Sequence, residues 1–247
     1  KYKNDTSKKL KNMNPVFIIG LPRSGSTITE LILSTSKTPK HSLGETSMIN
    51  SIIINQYGEK LFDNSKKDEI EIDLNLVEEK IISNLKNFDI TISDQTILID
   101  KSLENFYYLD LLIKIFPKAK FVITERNIND NVIGIFKKVL IDIPWAHSIL
   151  NIIQYINIYK KIINDYKKRY KEKLHFIKLD DLQNFNDEKV DALFNFCGLD
   201  YNSNYFKFQK QNQFISNASN LQIRSSLKKY DKRKYEKYYD LLNQYNN

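Results

Sequence analysis

One octapeptide constrains this chain more than any other stretch. GLPRSGST, running from Gly20 to Thr27, stands between a short apolar run at 16–20 and the residues Ile28, Leu31 and Ile32, which recur at helical spacing. The order is therefore strand, turn, helix. Glycine is scarce, six in 247 residues, and two of the six fall in this turn. Glycine lets the backbone turn tightly, and the successive N–H groups of such a loop at a helix N-terminus form a cradle for a phosphate. Arg23 adds a permanent charge, and Ser24, Ser26 and Thr27 add hydroxyl donors beside Gly25.

The alternation continues downstream. Short apolar runs at 97–100, 121–124 and 176–179 read as further buried strands. Between them lie helical patterns at 76–88, at 105–116 before Pro117, and from about Asp130, where Asn129 or Asp130 can cap the first turn. A long amphipathic helix is expected over 147–171 and another over 187–199, ended by Gly198 in the left-handed position. Strands joined through helices imply a mainly parallel sheet covered on both faces. With no internal repeat and no Gly/Ser-rich linker, the expectation is a polar N-terminal linker at 1–14 and one domain over 15–247.

Composition narrows the function classes. Hydrophobic residues at 41% and charged residues at 28% describe an ordinary globular chain and exclude compositional disorder. A single cysteine, Cys197, cannot form an internal disulfide, and one thiol with three scattered histidines has no metal-ligand spacing, so no metal is expected. No segment approaches the roughly 20 apolar residues of a membrane span, and the charged start KYKNDTSKKLKNMN is neither signal nor anchor, which points to a cytoplasmic protein without a membrane partner. The net charge of +8 either lies spread over solvated faces or draws a polyanion. In the tail KKYDKRKYEKYYDLLNQY, the spacing of Tyr235, Tyr238, Leu242 and Tyr245 fits a packed helix better than base stacking, and nucleic acid is not an expected partner.

The turn copies the P-loop spacing except that Ser26 occupies the place of its lysine. A nucleoside triphosphatase needs that lysine on the β- and γ-phosphates, so the substitution argues against phosphoryl transfer. A kinase reading stays open through Asp100, which ends the strand ILID and could hold magnesium. Next to it, Lys101 sits at the carboxyl end of that strand, the edge where open α/β sheets bind ligands, and its ammonium is expected to face the loop.

PVFIIGLPRSGST resembles the donor loop of the sulfotransferases that use 3′-phosphoadenosine 5′-phosphosulfate (PAPS), which in one branch reads very nearly PVFIxGxPRSGTT. That branch contains the tyrosylprotein sulfotransferases and bacterial sulfotransferases often carried behind tetratricopeptide repeats. The resemblance continues through Gly44-Glu45, Asp100-Lys101, FPKAKFVITER, the FCGL segment ending at Leu199 and IRSSLKKY ending at Tyr230, and so covers nearly the whole chain from Pro15 onward.

It implies a P-loop-like three-layer α/β fold and metal-independent transfer of a sulfuryl group to a hydroxyl, with 3′-phosphoadenosine 5′-phosphate (PAP) as product. Glu45 would be the general base, with nearby His41 as a substitute. Lys101 and Arg23 would stabilise charge on the bridging oxygen, and the loop from Arg23 through Ser24, Gly25, Ser26 and Thr27 would hold the 5′-phosphate. Arg126 and Lys138 would hold the 3′-phosphate, and Ser225, Ser226, Lys228 and Lys229 would close over the donor. Departures from the pattern are Asn129 for an arginine, Gly134 for a serine, Leu179 for a tyrosine and Tyr230 for a tryptophan. The acceptor could be a peptide tyrosine, a sugar or a small molecule. Besides the kinase, a non-catalytic, sulfotransferase-like module that holds a polyanion is the remaining alternative.

Overall fold

A computed structural model of the protein describes residues 1–3, 9–63, 65, 70–92, 97–184, 186–203, 235–243 and 245. Its centre is a five-stranded sheet built from β2 (Asn14–Gly20), β3 (Lys40–Gly44), β5 (Ile97–Asp100), β6 (Lys120–Glu125) and β7 (Leu174–Lys178). The spatial order is β3-β5-β2-β6-β7, and every pairing is parallel. Because β2 is central, the chain winds to one side of it through β3 and β5 and then to the other through β6 and β7. All five carboxyl ends therefore open on one edge.

Alternation along the strands fills two cores. Val16 and Ile18 of β2 join Ile97, Ile99 and Val122 on one face, under α1 (Ser26–Ser34), α7 (Leu179–Gln183) and α8 (Asp187–Cys197). Phe17 and Ile19 point the other way with Leu98, Phe121 and Ile123, toward α2 (Met48–Phe62), α3 (Leu74–Asn87), α4 (Leu109–Ile115), α5 (Ile128–Lys138) and α6 (Ile149–Arg169). Two helical layers enclosing a parallel sheet is the three-layer P-loop-like architecture expected above. Its buried strands read as unbroken apolar runs because neither face meets water.

Several local expectations shift. Asn127, one residue ahead of α5, caps it by accepting from the N–H of Asp130, so Asn129 and Asp130 already lie inside the helix. The 105–116 segment starts as a 3₁₀ helix at Leu103–Tyr108 before α4, and β7 ends at Lys178, leaving Leu179 to open α7. α6 is capped by Ser148, and α8 ends at Gly198 with φ 73°. Residues 1–14, expected to be a linker, are part of the packing where they are described. β1 (Tyr2–Lys3) pairs with β4 (Ile72–Asp73), Leu10 and Met13 are fully buried, and Glu78 accepts from the N–H groups of Lys9 and Leu10. In the C-terminal tail a 3₁₀ turn at Glu236–Tyr238 leads into α9 (Tyr239–Asn243); Tyr235 and Leu242 are buried, whereas Tyr238, expected on the same packed face, is exposed.

Candidate active site

The turn after β2 is fastened by its own polar groups. Ser24 Oγ donates to the Leu21 carbonyl at 2.6 Å and pairs with Thr124 Oγ1 at 2.6 Å, while the Ser24 N–H donates to the same carbonyl at 3.2 Å. Expected among the phosphate ligands, Ser24 instead turns both donors into the loop. This closure needs Gly20, because a Cβ there would stand 2.2 Å from Thr124 Oγ1. Gly25 has φ 107° and leads directly into α1, where Ser26 and Thr27 occupy the first turn. Its missing side chain makes room for Leu179, whose Cδ1 lies 2.9 Å from the position a Cβ would take. The leucine that replaces the expected tyrosine thus packs against the loop.

Helix α5 braces the loop from the other side. The buried Asn131 amide donates to the Pro22 carbonyl at 2.5 Å, and Arg126 Nη1 donates to the Arg23 carbonyl at 3.2 Å. Arg23 itself has φ 69°, a left-handed conformation that costs a residue with a side chain about 1 kcal/mol or more. Burial, and then the positive charge of Arg126, hold the Arg23 guanidinium below its ordinary pKa. Two guanidinium groups brought this close to a cradle of N–H donors make a strongly anion-attracting corner. Arg126 is also 3.7 Å from Asp130, and its guanidinium lies 5.6 Å from the Tyr235 ring. Gly134 faces the same corner, since a Cβ there would meet Arg126 Nη1 at 3.2 Å and Arg23 Cβ at 3.5 Å. Lys138 follows one turn later on that face of α5.

A second cluster lies across β5. Lys101 follows this strand, and its side chain is completely buried. Its ammonium, expected to face the loop, is hydrogen-bonded to Glu45 Oε1 and lies 3.7 Å from Glu30 Oε2 on α1. Glu45 is 46% exposed at its side chain, Glu30 only 5%. The Lys101 N–H donates to the Gly44 carbonyl at 2.9 Å, tying the two strand ends together. Asp100 completes the tie. Its carboxylate accepts from the Ser102 N–H, the Asn105 amide and the Thr46 hydroxyl at 2.8, 2.9 and 3.0 Å, and burial raises its pKa against the pull of these bonds. Both Asp100 oxygens are thereby committed, Oδ2 to Thr46 and Oδ1 to the 102–105 segment, an arrangement that leaves little for the magnesium of a kinase. Among the described residues no group of three His, Cys, Asp or Glu side chains could hold a metal ion.

Since β5 runs between β3 and β2, Lys101 emerges between the strand that presents Glu45 and the strand that leads into the loop. The structure accordingly gathers Glu45, Lys101, Arg23, Gly25, Ser26, Thr27 and Arg126 along one sheet edge, with Lys138 at the far end of α5. Ser225, Ser226, Lys228, Lys229 and Tyr230 lie outside the described residues. His41 is exposed on β3. Cys197 is buried at the end of α8, and desolvation pushes its thiol up to about 12, consistent with an inert packing residue. A cavity of about 480 Å³ opens beside Arg126 between β6, β7, α5 and α6, bordered by Leu21, Thr124, Asn131, Tyr159 and Lys178. Residue-by-residue reading missed Glu30, Thr124 and Asn131. The available signal for Glu30 was a lone carboxylate in the otherwise uncharged helix STITELILS.

Comparison with known proteins decides the family. Residues 15–203 match the model of the sulfotransferase family. The chain belongs to that family. The sulfotransferase domain of the Synechococcus PCC 7002 olefin synthase aligns with a TM-score of 0.66 at 17% identity, covering 95% of this chain and 91% of that one. The sulfotransferase domain of the curacin biosynthetic pathway aligns at 0.57 and 12% identity, covering 91% and 90%. A sulfotransferase from Alicyclobacillus acidocaldarius aligns at 0.54 and 15% identity, covering 77% and 82%. These likenesses establish a shared fold. An uncharacterized protein of Aquifex aeolicus (strain VF5) is 26% identical over 244 residues, which span 91% of this sulfotransferase chain and 31% of the relative. Among the described residues of this family member, no helix is long and apolar enough to cross a membrane.

Proposed function

We propose that this chain transfers the sulfuryl group of PAPS to a hydroxyl acceptor by in-line displacement, with Glu45 as general base. The observation that carries the reading is the ion pair between a half-exposed carboxylate, Glu45, and a fully buried ammonium, Lys101, one strand away from an anion-binding loop. An exposed carboxylate can meet an acceptor arriving from solvent. A buried cation acts in a low-dielectric setting where its effect on developing charge is greatest.

In this reading the acceptor hydroxyl gives its proton to Glu45 as its oxygen forms the new bond to sulfur. The bond from sulfur to the bridging phosphate oxygen breaks on the opposite side, and its electron pair leaves with PAP. Lys101, drawn from Glu45 toward the donor, and Arg23 stabilise that departing charge. The N–H groups of Ser26 and Thr27 cradle the 5′-phosphate at the N-terminus of α1. Arg126 and Lys138 take the 3′-phosphate. The acceptor is a hydroxyl compound, and the reaction is read as taking place in the cytoplasm.

A thermal-shift titration tests the reading. PAP is expected to raise the melting temperature more than AMP or ATP at equal concentration, and transfer from PAPS is expected to persist in EDTA because the two cations supply the positive charge. A preference for ATP, with turnover lost in EDTA and restored by magnesium, would assign the fold to phosphoryl transfer instead.

Gly134 gives a finer test of the 3′-phosphate corner. Any side chain at this position presses on Arg126 Nη1 from 3.2 Å, so alanine carries that displacement alone and serine adds a hydroxyl. Gly134→Ser is expected to bind PAP about 2- to 10-fold more tightly than Gly134→Ala, the worth of one net hydrogen bond. Isothermal calorimetry of the two variants reads the difference directly. Equal affinities would remove Gly134 from the phosphate's reach.

A further inference from the structure

Accepting a proton costs Glu45 its negative charge at the moment Lys101 is most needed. With both carboxylates ionised, the cluster of Glu30, Lys101 and Glu45 carries two negative charges against one positive. Once Glu45 is neutral, a completely buried ammonium depends on whatever carboxylate remains. Glu30 is that carboxylate. It projects from α1, is 5% exposed, lies 3.7 Å from Lys101 Nζ through Oε2, and is oriented through Oε1, which accepts from Ser42 Oγ at 2.6 Å.

We infer that Glu30 is a positioning residue that keeps the Lys101 ammonium charged and in place while Glu45 acts as base, an assignment that rests on the sulfuryl-transfer reading. Burial separates the two carboxylates by task. Glu45, half exposed, reaches an acceptor; Glu30, enclosed by α1, β3 and the strand ends, is directed among the described residues to Lys101 and Ser42. The other acidic group next to Lys101 does not compete, since Asp100 spends its oxygens on Thr46, Ser102 and Asn105. The geometry also explains why Lys101 can leave Glu45 for the donor. Its second counterion sits on the helix into which the phosphate loop leads, so a shift toward the loop keeps one carboxylate beside it.

The step it supports is balanced without any further reactant. The proton passes from the acceptor oxygen to Glu45, the acceptor O–S bond forms, and the bond from sulfur to the bridging phosphate oxygen breaks with its electron pair leaving on PAP. Glu30 and Lys101 keep their charges throughout.

Glu30→Gln, Glu30→Asp and Ser42→Ala test the inference. In Glu30→Gln, kcat is expected to fall roughly 10- to 100-fold, with PAP affinity within about threefold of the native protein. The basic limb of its kcat–pH profile should move toward lower pH, the direction expected when an opposite charge is removed at this distance. Glu30→Asp should recover part of both effects. Ser42→Ala, which keeps the charge and frees its orientation, should show a smaller change in the same direction, and it covers the case in which Glu30→Gln does not fold. A readout independent of turnover is the pH at which the Lys101 Nζ resonance titrates in ¹⁵N-lysine-labelled protein, expected to be lower in Glu30→Gln. An unchanged Lys101 titration with lowered thermal stability would make Glu30 merely structural and overturn the inference. So would a Glu45→Gln protein that keeps its rate while Glu30→Gln loses it, since Glu30 would then be the base. If native protein moves no sulfuryl group but Lys101 still titrates lower in Glu30→Gln, the ion pairing stands and the sulfuryl-transfer reading fails.

Discussion

Lys101→Met is expected to reduce turnover by about 10²- to 10³-fold, in the range seen when a preorganised donor is removed from a transition state, and to destabilise the fold at the same time. The second effect follows from what the ammonium touches. Removing the ammonium leaves the carboxylate of Glu30, 5% exposed, without its cation. Deleting one partner of a buried pair costs about 3–5 kcal/mol, which for a chain of this size lowers the melting temperature by roughly 2–4 °C per kcal/mol. The double variant Lys101→Met/Glu30→Gln has no stranded charge and should regain most of that stability while remaining inactive. Calorimetric melting of both variants, set beside their rates, separates the two roles. If the double variant melts as low as the single one, the loss comes from packing around the lysine stem and not from Glu30.

Glu45→Gln is the complementary case. Turnover should drop by about 10²- to 10⁴-fold, the loss expected for a general base, with little change in stability, because this side chain is 46% exposed and Lys101 keeps Glu30 beside it. PAP affinity should stay constant or rise slightly, since Lys101 is then freer to turn toward the donor. Titration calorimetry with PAP and initial rates with a phenolic acceptor provide the two measurements. Equal losses in binding and rate would make Glu45 a structural partner of Lys101 and return His41, exposed on the neighbouring β3, to consideration as the base.

Much of this architecture was legible because buried parallel strands leave a coarse trace. ILID and FVIT are apolar on both faces, and GLPRSGST marks a turn with few alternatives. β3 left no such trace. KHSLG is one of the two edge strands of the sheet among the described residues, with His41 and Ser42 exposed, so neither alternation nor an apolar run announces it. The burial of Leu10 and Met13 was hidden for a related reason. Two apolar residues spaced among lysines and asparagines read as a polar segment until other elements cover them. In the site, residue type identified the groups whose charge would meet a ligand, but not those that hold them. Thr124 closes the loop from β6 and Glu30 supports Lys101 from α1, and both meanings arise only when distant stretches are brought together. Ser24 shows the reverse case. Its hydroxyl looks available in a serine-rich loop, yet the fold uses it internally.

A loop closed by Ser24 and Thr124 on one side and held by Asn131 and Arg126 on the other is already shaped before an anion arrives. Little of it remains to be ordered on binding, which removes one of the usual entropic penalties of association. In the proposed reaction, capture of the nucleotide is then expected to follow diffusion and the attraction of the paired guanidinium groups, so that its rate should fall as ionic strength rises.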